Sequence, residues 1–229
     1  MSLRLTTNKI CPFAQRVWLC LEASGLPYEL SEVEIKPGSK TSAFTALYKT
    51  ALGADPKSDG KVPILEDGGV VLTESLHVAD YVCSKSLVPL LPTLPLERFA
   101  TGLFLEQGVS RYVPPFYALL MKQDAEGQGA ARESLIQAMQ AISAHLKEPF
   151  LLGATATYGD FMLWPFVERL CILEHYRGFT LEKAVAEEPS IAPFLRWREA
   201  MLQVPCVKKC AQEPALFIKG YEAYANGTK

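Results

Sequence analysis

Between Ser86 and Pro95 the chain places three prolines among four leucines. Neither a helix interior nor a central strand tolerates that density, because each proline removes a backbone donor and clashes with the preceding turn. The stretch reads as a linker lying against an apolar surface, and it separates two regions of different periodicity. Upstream, Leu3 to Thr6 reads as a short strand, and Pro12 to Ser24 carries Phe13, Val17, Cys20 and Leu21 at helical spacing before Gly25. Tyr28 to Ile35 alternates as a half-buried strand, and Ser42 to Ala51 is helical. A polar loop follows from Gly53 to Lys61. Val62 to Glu66 and Val70 to Thr73 flank Asp67-Gly68-Gly69, a hairpin signal, and Ser75 to Ser84 is helical again. The order is β-α-β-α-β-β-α. Downstream, strand signals almost vanish: Glu97 to Lys122, Ala130 to Lys147, Tyr158 to Tyr176 and Ile191 to Val204 show helical spacing, interrupted at Pro114-Pro115. The expected organisation is an α/β domain over 1–84, a linker over 85–95 and an all-helical domain over 96–229.

Composition narrows the function classes. The chain has 229 residues, 49% hydrophobic and 21% charged, which excludes a disordered chain and allows one large or two small domains. A net charge of −2, with no basic run richer than Lys208-Lys209, gives nucleic acid no positive field to bind. The longest apolar run, Phe161 to Val167, is far short of the roughly 20 residues that span a bilayer. Met1 to Ile10 lacks the apolar core of a secretory signal. A cytosolic protein with no membrane partner is expected, without internal repeats or low-complexity segments.

Six cysteines, at 11, 20, 83, 171, 206 and 210, contain no Cys-x-x-Cys pair. Zinc ribbons and dithiol redox motifs are therefore absent, and a disulfide scaffold lacks its secretory context. Cys206 with Cys210, and Cys171 with His175, share helical i, i+4 spacing, but no further ligand cluster accompanies either pair, so no metal is expected. His77 and His145 have no serine or aspartate constellation around them, and no phosphate-binding glycine loop is present. Thr157-Tyr158-Gly159-Asp160 is the acidic variant of a capping box and opens a long apolar helix.

Cys11 differs from the other five. Pro12 follows it, and proline is favoured at the first helical position, so Cys11 falls at the N-cap of a helix that follows a strand. There its sulfur meets unpaired N–H groups and the positive end of the helix dipole, a setting that favours thiolate; Arg16 adds positive charge little more than a turn further on. Position alone is equally compatible with a buried cysteine that merely caps. Val62-Pro63 places an X-Pro bond at a strand start. Glu74-Ser75 opens a helix directly after a strand, where a hydroxyl and helix N–H groups make an anion seat, although an ordinary helix cap has the same signature.

The succession Cys-Pro-Phe-Ala-Gln-Arg at 11–16, Lys-Val-Pro-Ile-Leu at 61–65 and Thr-Glu-Ser-Leu at 73–76 resembles the cytosolic glutathione transferases of the cysteine type: omega, lambda and the dehydroascorbate reductases. The resemblance spans the whole chain, since the linker, the helical second domain and the 157–160 cap match the same plan. It implies a thioredoxin-like N-terminal domain followed by an all-α C-terminal domain, with glutathione as co-substrate and a homodimer as a family option. It also implies that Cys11 forms a mixed disulfide with glutathione, that Phe13 lies beside it, and that Val62 pairs with the cysteinyl backbone before a cis Pro63. Glu74 and Ser75 would hold the γ-glutamyl ammonium and carboxylate, and Lys40 would approach the glycine carboxylate. The chain is longer than the family pattern at Gly53 to Asp59, which implies an altered rim. Tyr112, Phe116, Trp164 and Tyr221 are candidates for an acceptor pocket.

With no cysteine at position 14 and no tyrosine before Tyr28, the implied chemistry is monothiol transfer. Its acceptors would be a small thiol, disulfide, conjugate or dehydroascorbate, in deglutathionylation or dehydroascorbate reduction rather than conjugation. Intracellular chloride channel proteins resemble the same motif, and a non-enzymatic interaction module is the other reading. The Glu74-Ser75 pair favours an enzyme, because a scaffold needs no ligand seat.

Overall fold

A computed structural model describes residues 3–36 and 38–228. The chain divides into two compact units, 1–91 and 92–229. The first contains β1 (Leu3–Thr7), α1 (Pro12–Ser24), β2 (Tyr28–Glu32), α2 (Ser42–Thr50), β3 (Ile64–Asp67), β4 (Val70–Leu72) and α3 (Ser75–Ser84). The sheet runs in the order β2-β1-β3-β4. β1 and β2 are parallel, with Leu5 beside Leu30, and α1 makes the crossover between them. β3 lies antiparallel to β1, with Leu65 opposite Leu5, and forms a hairpin with β4. This is the expected thioredoxin-like arrangement. Gly68 and Gly69 turn the hairpin with φ of 57° and 93°, the left-handed values that two-residue hairpin turns require. Ile64 and Leu65 are both fully buried and point to opposite faces, so the sheet is covered on both sides. Ile64 packs with Ala14, Phe44, Tyr48 and Val62.

Two strand ends and the linker differ from the sequence reading in ways that have a physical cause. β2 ends at Glu32 rather than Ile35, because it is an edge strand that buries none of its residues and alternation had nothing to pack against. β3 begins at Ile64, after Pro63, which lacks the N–H a ladder needs. In the linker, Leu90 is buried but Leu87 is 73% exposed, so the apolar surface expected beneath it covers only part of the run.

Asp67, at the end of β3, accepts a hydrogen bond from the Tyr81 hydroxyl at 2.7 Å and pairs with the Lys85 ammonium, tying the hairpin to α3. Lys85 first, then Tyr81, holds its carboxyl below the usual range. A depressed folded-state pKa stabilises above the unfolded value, about 3.9, and that contribution is lost as pH falls through the folded value. Urea unfolding followed from pH 6 to pH 3 is expected to show Asp67→Asn less stable than wild type at pH 6, with the gap closing in acid. A gap of constant size would remove the ionic role from this contact.

The second unit is helical: α4 (Pro95–Leu103), a π-helical turn at Phe104–Val109, α5 (Ser110–Met121), α6 (Ala125–His145), α7 (Tyr158–Glu168), α8 (Leu170–Arg177), α9 (Leu181–Glu187), α10 (Ala192–Met201), α11 (Pro205–Cys210) and α12 (Pro214–Ala225). Pro114 and Pro115 do not interrupt the chain as expected; both lie inside α5, and the irregularity is the π-helical turn just before it. α6 starts at Ala125, five residues early, because the Asp124 side chain accepts from the Gly127 N–H at 2.6 Å and caps it. The stretch expected as one helix over 158–176 breaks at Arg169, whose fully buried guanidinium donates to the Pro165 carbonyl at 2.5 Å and lies 4.2 Å from the centre of the Phe217 ring. α9 and α12 have no counterpart in the sequence reading, and α11 has only the helical spacing of Cys206 and Cys210.

Candidate functional site

The site in the first unit starts at the loop between β1 and α1. Asn8 is buried and shapes it: its side-chain amide donates to the Val33 carbonyl at 2.8 Å, its side-chain oxygen accepts from Ile10 N–H at 3.0 Å, and its carbonyl accepts from Cys11 N–H at 3.0 Å. Those bonds deliver Cys11 to the N-cap of α1 in extended conformation, with Pro12 in the first turn. Cys11 is partly exposed, whereas Cys20, Cys83, Cys206 and Cys210 are buried, and all six cysteines are thiols. The Cys11 sulfur lies 4.0 Å from the Val62 carbonyl oxygen. The Val62–Pro63 peptide is cis, as the resemblance implies. Thr73 fastens this segment by donating its hydroxyl to the Pro63 carbonyl at 2.8 Å.

Thr73 leads directly into the second part of the site. Glu74 is the N-cap of α3 and holds φ at 76°, a conformation that side-chain-bearing residues adopt only under local constraint. Its neighbours supply that constraint. Gly53, itself at φ 90°, has Thr73 O and the Glu74 Cγ 3.4 Å from where a side chain would begin. Leu52 donates to the Val71 carbonyl and accepts from Thr73 N–H, at 2.8 and 3.1 Å. Glu74 is exposed, while Ser75, the first residue of α3, is buried and accepts a hydrogen bond from Arg16 at 3.2 Å.

Lys40 has a different surrounding from the one expected. Its ammonium binds Asp59 at 2.5 Å and the Gly60 carbonyl at 2.8 Å. Asp59 is held below the usual carboxylate range, first by this hydrogen bond. The pair closes the long 53–61 loop onto the start of α2, helped by Thr45 Oγ1 donating to Asp59 O at 2.7 Å and Tyr48 OH accepting from Asp55 N–H at 3.0 Å. Gly60, at φ 130°, lies so near Phe44 that a side chain there would begin 2.4 Å from the ring. Lys40 thus organises the loop by contacts of its own.

The four aromatic residues expected around an acceptor are in the interior of the second unit. Tyr112 and Phe116 are fully buried, Trp164 is 1% exposed and Tyr221 4%. Tyr112 stacks on Phe116 and Phe194, and burial pushes its phenol well above the usual range. Tyr221 stacks on Tyr117. Their burial has a physical cause: aromatic residues on the apolar stripe of a helix find their partners in the core. Trp164 also borders a cavity of about 280 Å³, together with Cys171, Phe179, Arg198 and Phe217. Burial raises the pKa of the Cys171 thiol, which makes it a poorer nucleophile at neutral pH. Among the described residues, no cluster of three or more His, Cys, Asp or Glu is arranged to hold a metal, and no helix is long and apolar enough to cross a membrane.

Two contributors escape the sequence reading. Asn8 has a readable signal, an Asn just before a strand-to-helix turn, where its side chain bonds the backbone two residues on. Arg16 shows in the sequence only as added charge near Cys11, and its bond to Ser75 becomes visible only when α1 and α3 are packed together.

The comparisons converge on one family. Residues 10–85 match the pattern described as glutathione S-transferase, N-terminal domain, and residues 107–200 match glutathione S-transferase, C-terminal domain. The chain is 30% identical over 213 residues to pyrimidodiazepine synthase of Drosophila melanogaster, covering 90% of this chain and 79% of the relative. It is 26% identical over 203 residues to a probable glutathione S-transferase DHAR1, cytosolic, of Oryza sativa subsp. japonica, covering 87% and 85%. The crystal structure of glutathione transferase Omega 3C from Trametes versicolor superposes with a TM-score of 0.83 at 25% identity, over 99% of this chain and 91% of the other.

Proposed function

The chain belongs to the glutathione transferase family, on the side of the omega and dehydroascorbate reductase enzymes, and we propose that it is a monothiol transferase acting through Cys11. The observation that carries this reading is a partly exposed thiol at the N-cap of α1, 4.0 Å from the Val62 carbonyl. The helix end stabilises the thiolate, which attacks the sulfur of a glutathione mixed disulfide. The new bond joins Cys11 sulfur to glutathione sulfur, and the acceptor leaves as thiolate and takes up a proton. A second glutathione thiolate then attacks the glutathione sulfur on Cys11, releasing glutathione disulfide and regenerating the Cys11 thiolate. With dehydroascorbate as acceptor, two glutathiones are oxidised for each molecule reduced.

Glutathione is held in this reading with its cysteinyl backbone on Val62 beside Pro63 and Phe13, and with its γ-glutamyl end on Glu74 and Ser75. Glu74 receives the ammonium. Ser75 and the first N–H groups of α3 receive the carboxylate. Lys40 reaches the glycine carboxylate only by sharing its ammonium with Asp59. A cytosolic setting, which keeps these thiols reduced, fits the cycle.

The test is to incubate the purified protein with a peptide–glutathione mixed disulfide and locate the adduct by mass spectrometry. Turnover with the glutathione adduct on Cys11 is expected, together with faster iodoacetamide labelling of Cys11 at pH 6 than of free glutathione. An inert Cys11, with the adduct on Cys20, Cys83, Cys206 or Cys210, would sink the proposal.

The seat yields its own expected result. Ser75→Ala should weaken glutathione binding by about 1.5–3 kcal/mol, the worth of a hydrogen bond to a charged group, or roughly ten- to a hundredfold in Kd. Glu74→Ala should act in the same direction through the lost ammonium partner. Titration calorimetry checks both, and unchanged affinity in the two variants would place glutathione elsewhere.

A further inference from the structure

Arg16 lies on the buried face of α1, only 4% exposed, an uncommon place for a guanidinium. It sits 5.3 Å from the centre of the Phe13 ring, and its Nη1 donates to Ser75 Oγ at 3.2 Å. That bond has a directional consequence. A serine hydroxyl owns one proton and two lone pairs, and a guanidinium can donate but cannot accept. Once Arg16 occupies a lone pair of Ser75, the hydroxyl proton must point to some other acceptor. Ser75 is also the first residue of α3, where the unpaired helix N–H groups gather, so an anion at that end meets both the helix donors and the turned hydroxyl.

We propose that Arg16 is a positioning residue that sets the preference for γ-glutamyl thiols: it turns the Ser75 hydroxyl toward the α-carboxylate of the γ-glutamyl group and places a fixed positive charge behind it. The proposal rests on the reading of Glu74 and Ser75 as the γ-glutamyl seat. It adds a residue of the helix that carries Cys11, five positions after the thiol, so the helix that presents the nucleophile also tunes the recognition of the ligand's far end. A plain tether between α1 and α3 would hold the two helices together without caring which ligand is bound.

Ligand pairs separate these roles. S-methylglutathione has no thiol to react with Cys11, and its 4-aminobutyryl counterpart lacks only the α-carboxylate. Calorimetric titration of both ligands into wild type, Arg16→Gln, Arg16→Met, Arg16→Lys and Ser75→Ala gives a carboxylate preference for each protein. Wild type is expected to prefer the carboxylate-bearing ligand by about tenfold or more, as a charge-assisted hydrogen bond implies. Arg16→Gln should cut that ratio at least about fivefold, through the carboxylate-bearing ligand alone, with affinity for the other ligand held within about twofold. Arg16→Met repeats the measurement with a side chain suited to a buried site should the glutamine variant not fold. Arg16→Lys, which keeps a cation and a donor, should retain most of the preference.

Equal weakening toward both ligands would make Arg16 a tether and overturn the proposal, as would an unchanged ratio in the neutral variants. If Ser75→Ala loses the preference while Arg16→Gln keeps it, the seat stands and the role of Arg16 falls. If neither wild type nor Ser75→Ala distinguishes the two ligands, the seat itself is misplaced.

Discussion

Cys11→Ser is expected to lose at least about 10³-fold in turnover of glutathione mixed disulfides, because removing an attacking nucleophile removes the covalent pathway rather than weakening it. The fold should survive. Cys11 is only partly buried, serine is nearly isosteric, and serine is among the favoured N-cap residues. The same substitution leaves the end of α1 in place, where a hydroxyl and the unpaired N–H groups can stabilise a thiolate belonging to bound glutathione instead. Conjugation of glutathione to chlorodinitrobenzene should therefore rise in the variant, while dehydroascorbate reduction falls with thiol transfer. Measuring both activities on both proteins, with a thermal melt to establish folding, decides the reaction type. A wild type that conjugates well and cannot reduce mixed disulfides would overturn the thiol-transfer mechanism while leaving the family assignment untouched. A Cys11→Ser variant that keeps reducing mixed disulfides would move the nucleophile to another cysteine.

The parts of this molecule that the sequence displays are those governed by local physics. Cys11-Pro12 shows a helix start because proline at the first helical position has a local cause. Asp67-Gly68-Gly69 shows a hairpin because only glycine enters the left-handed turn without cost, and the contrast across residues 86–95 shows the change of architecture. The failures are long-range. α12 (Pro214–Ala225) leaves a weak signal because its buried residues are few, Phe217, Tyr221 and Ala225, and its helical spacing is diluted by exposed ones. The division of the long apolar stretch at Arg169 depends on a guanidinium buried against Phe217, 48 positions away. The full burial of Tyr112 and Phe116 is not legible either, because aromatic composition cannot tell a wall from a core. In the site, the candidates at Cys11, Val62 and Ser75 were legible from motif spacing. The engagement of Lys40 by Asp59 was not, since it depends on how the 53–61 loop closes.

Asp160→Ala is expected to cost about 3–5 kcal/mol of stability, a large effect for a single substitution. The carboxylate is fully buried at the third position of α7 and accepts from Thr157 N–H and Leu151 N–H at 2.9 Å, from the Trp197 indole at 2.8 Å and from the Thr157 hydroxyl at 3.2 Å. Alanine leaves the Leu151 and Trp197 donors buried without an acceptor, at about 1–3 kcal/mol each, and removes half of the capping box. One opposing effect limits the total: burial raises the pKa of Asp160, so the native carboxylate already carries a desolvation cost that alanine relieves. Asp160→Asn separates the two. Its amide oxygen can still accept from Leu151 and Trp197, but its NH₂ group faces the Thr157 N–H and cannot accept it. The asparagine variant should therefore lose roughly half as much as the alanine variant. Melting temperatures measure this directly. At roughly 2–4 °C per kcal/mol for a chain of this size, Asp160→Ala should melt about 10 °C lower. A melting point within about 2 °C of wild type would mean that the Leu151 and Trp197 donors find other acceptors, and that the Trp197–Asp160 bond is not what fixes α7 against α10.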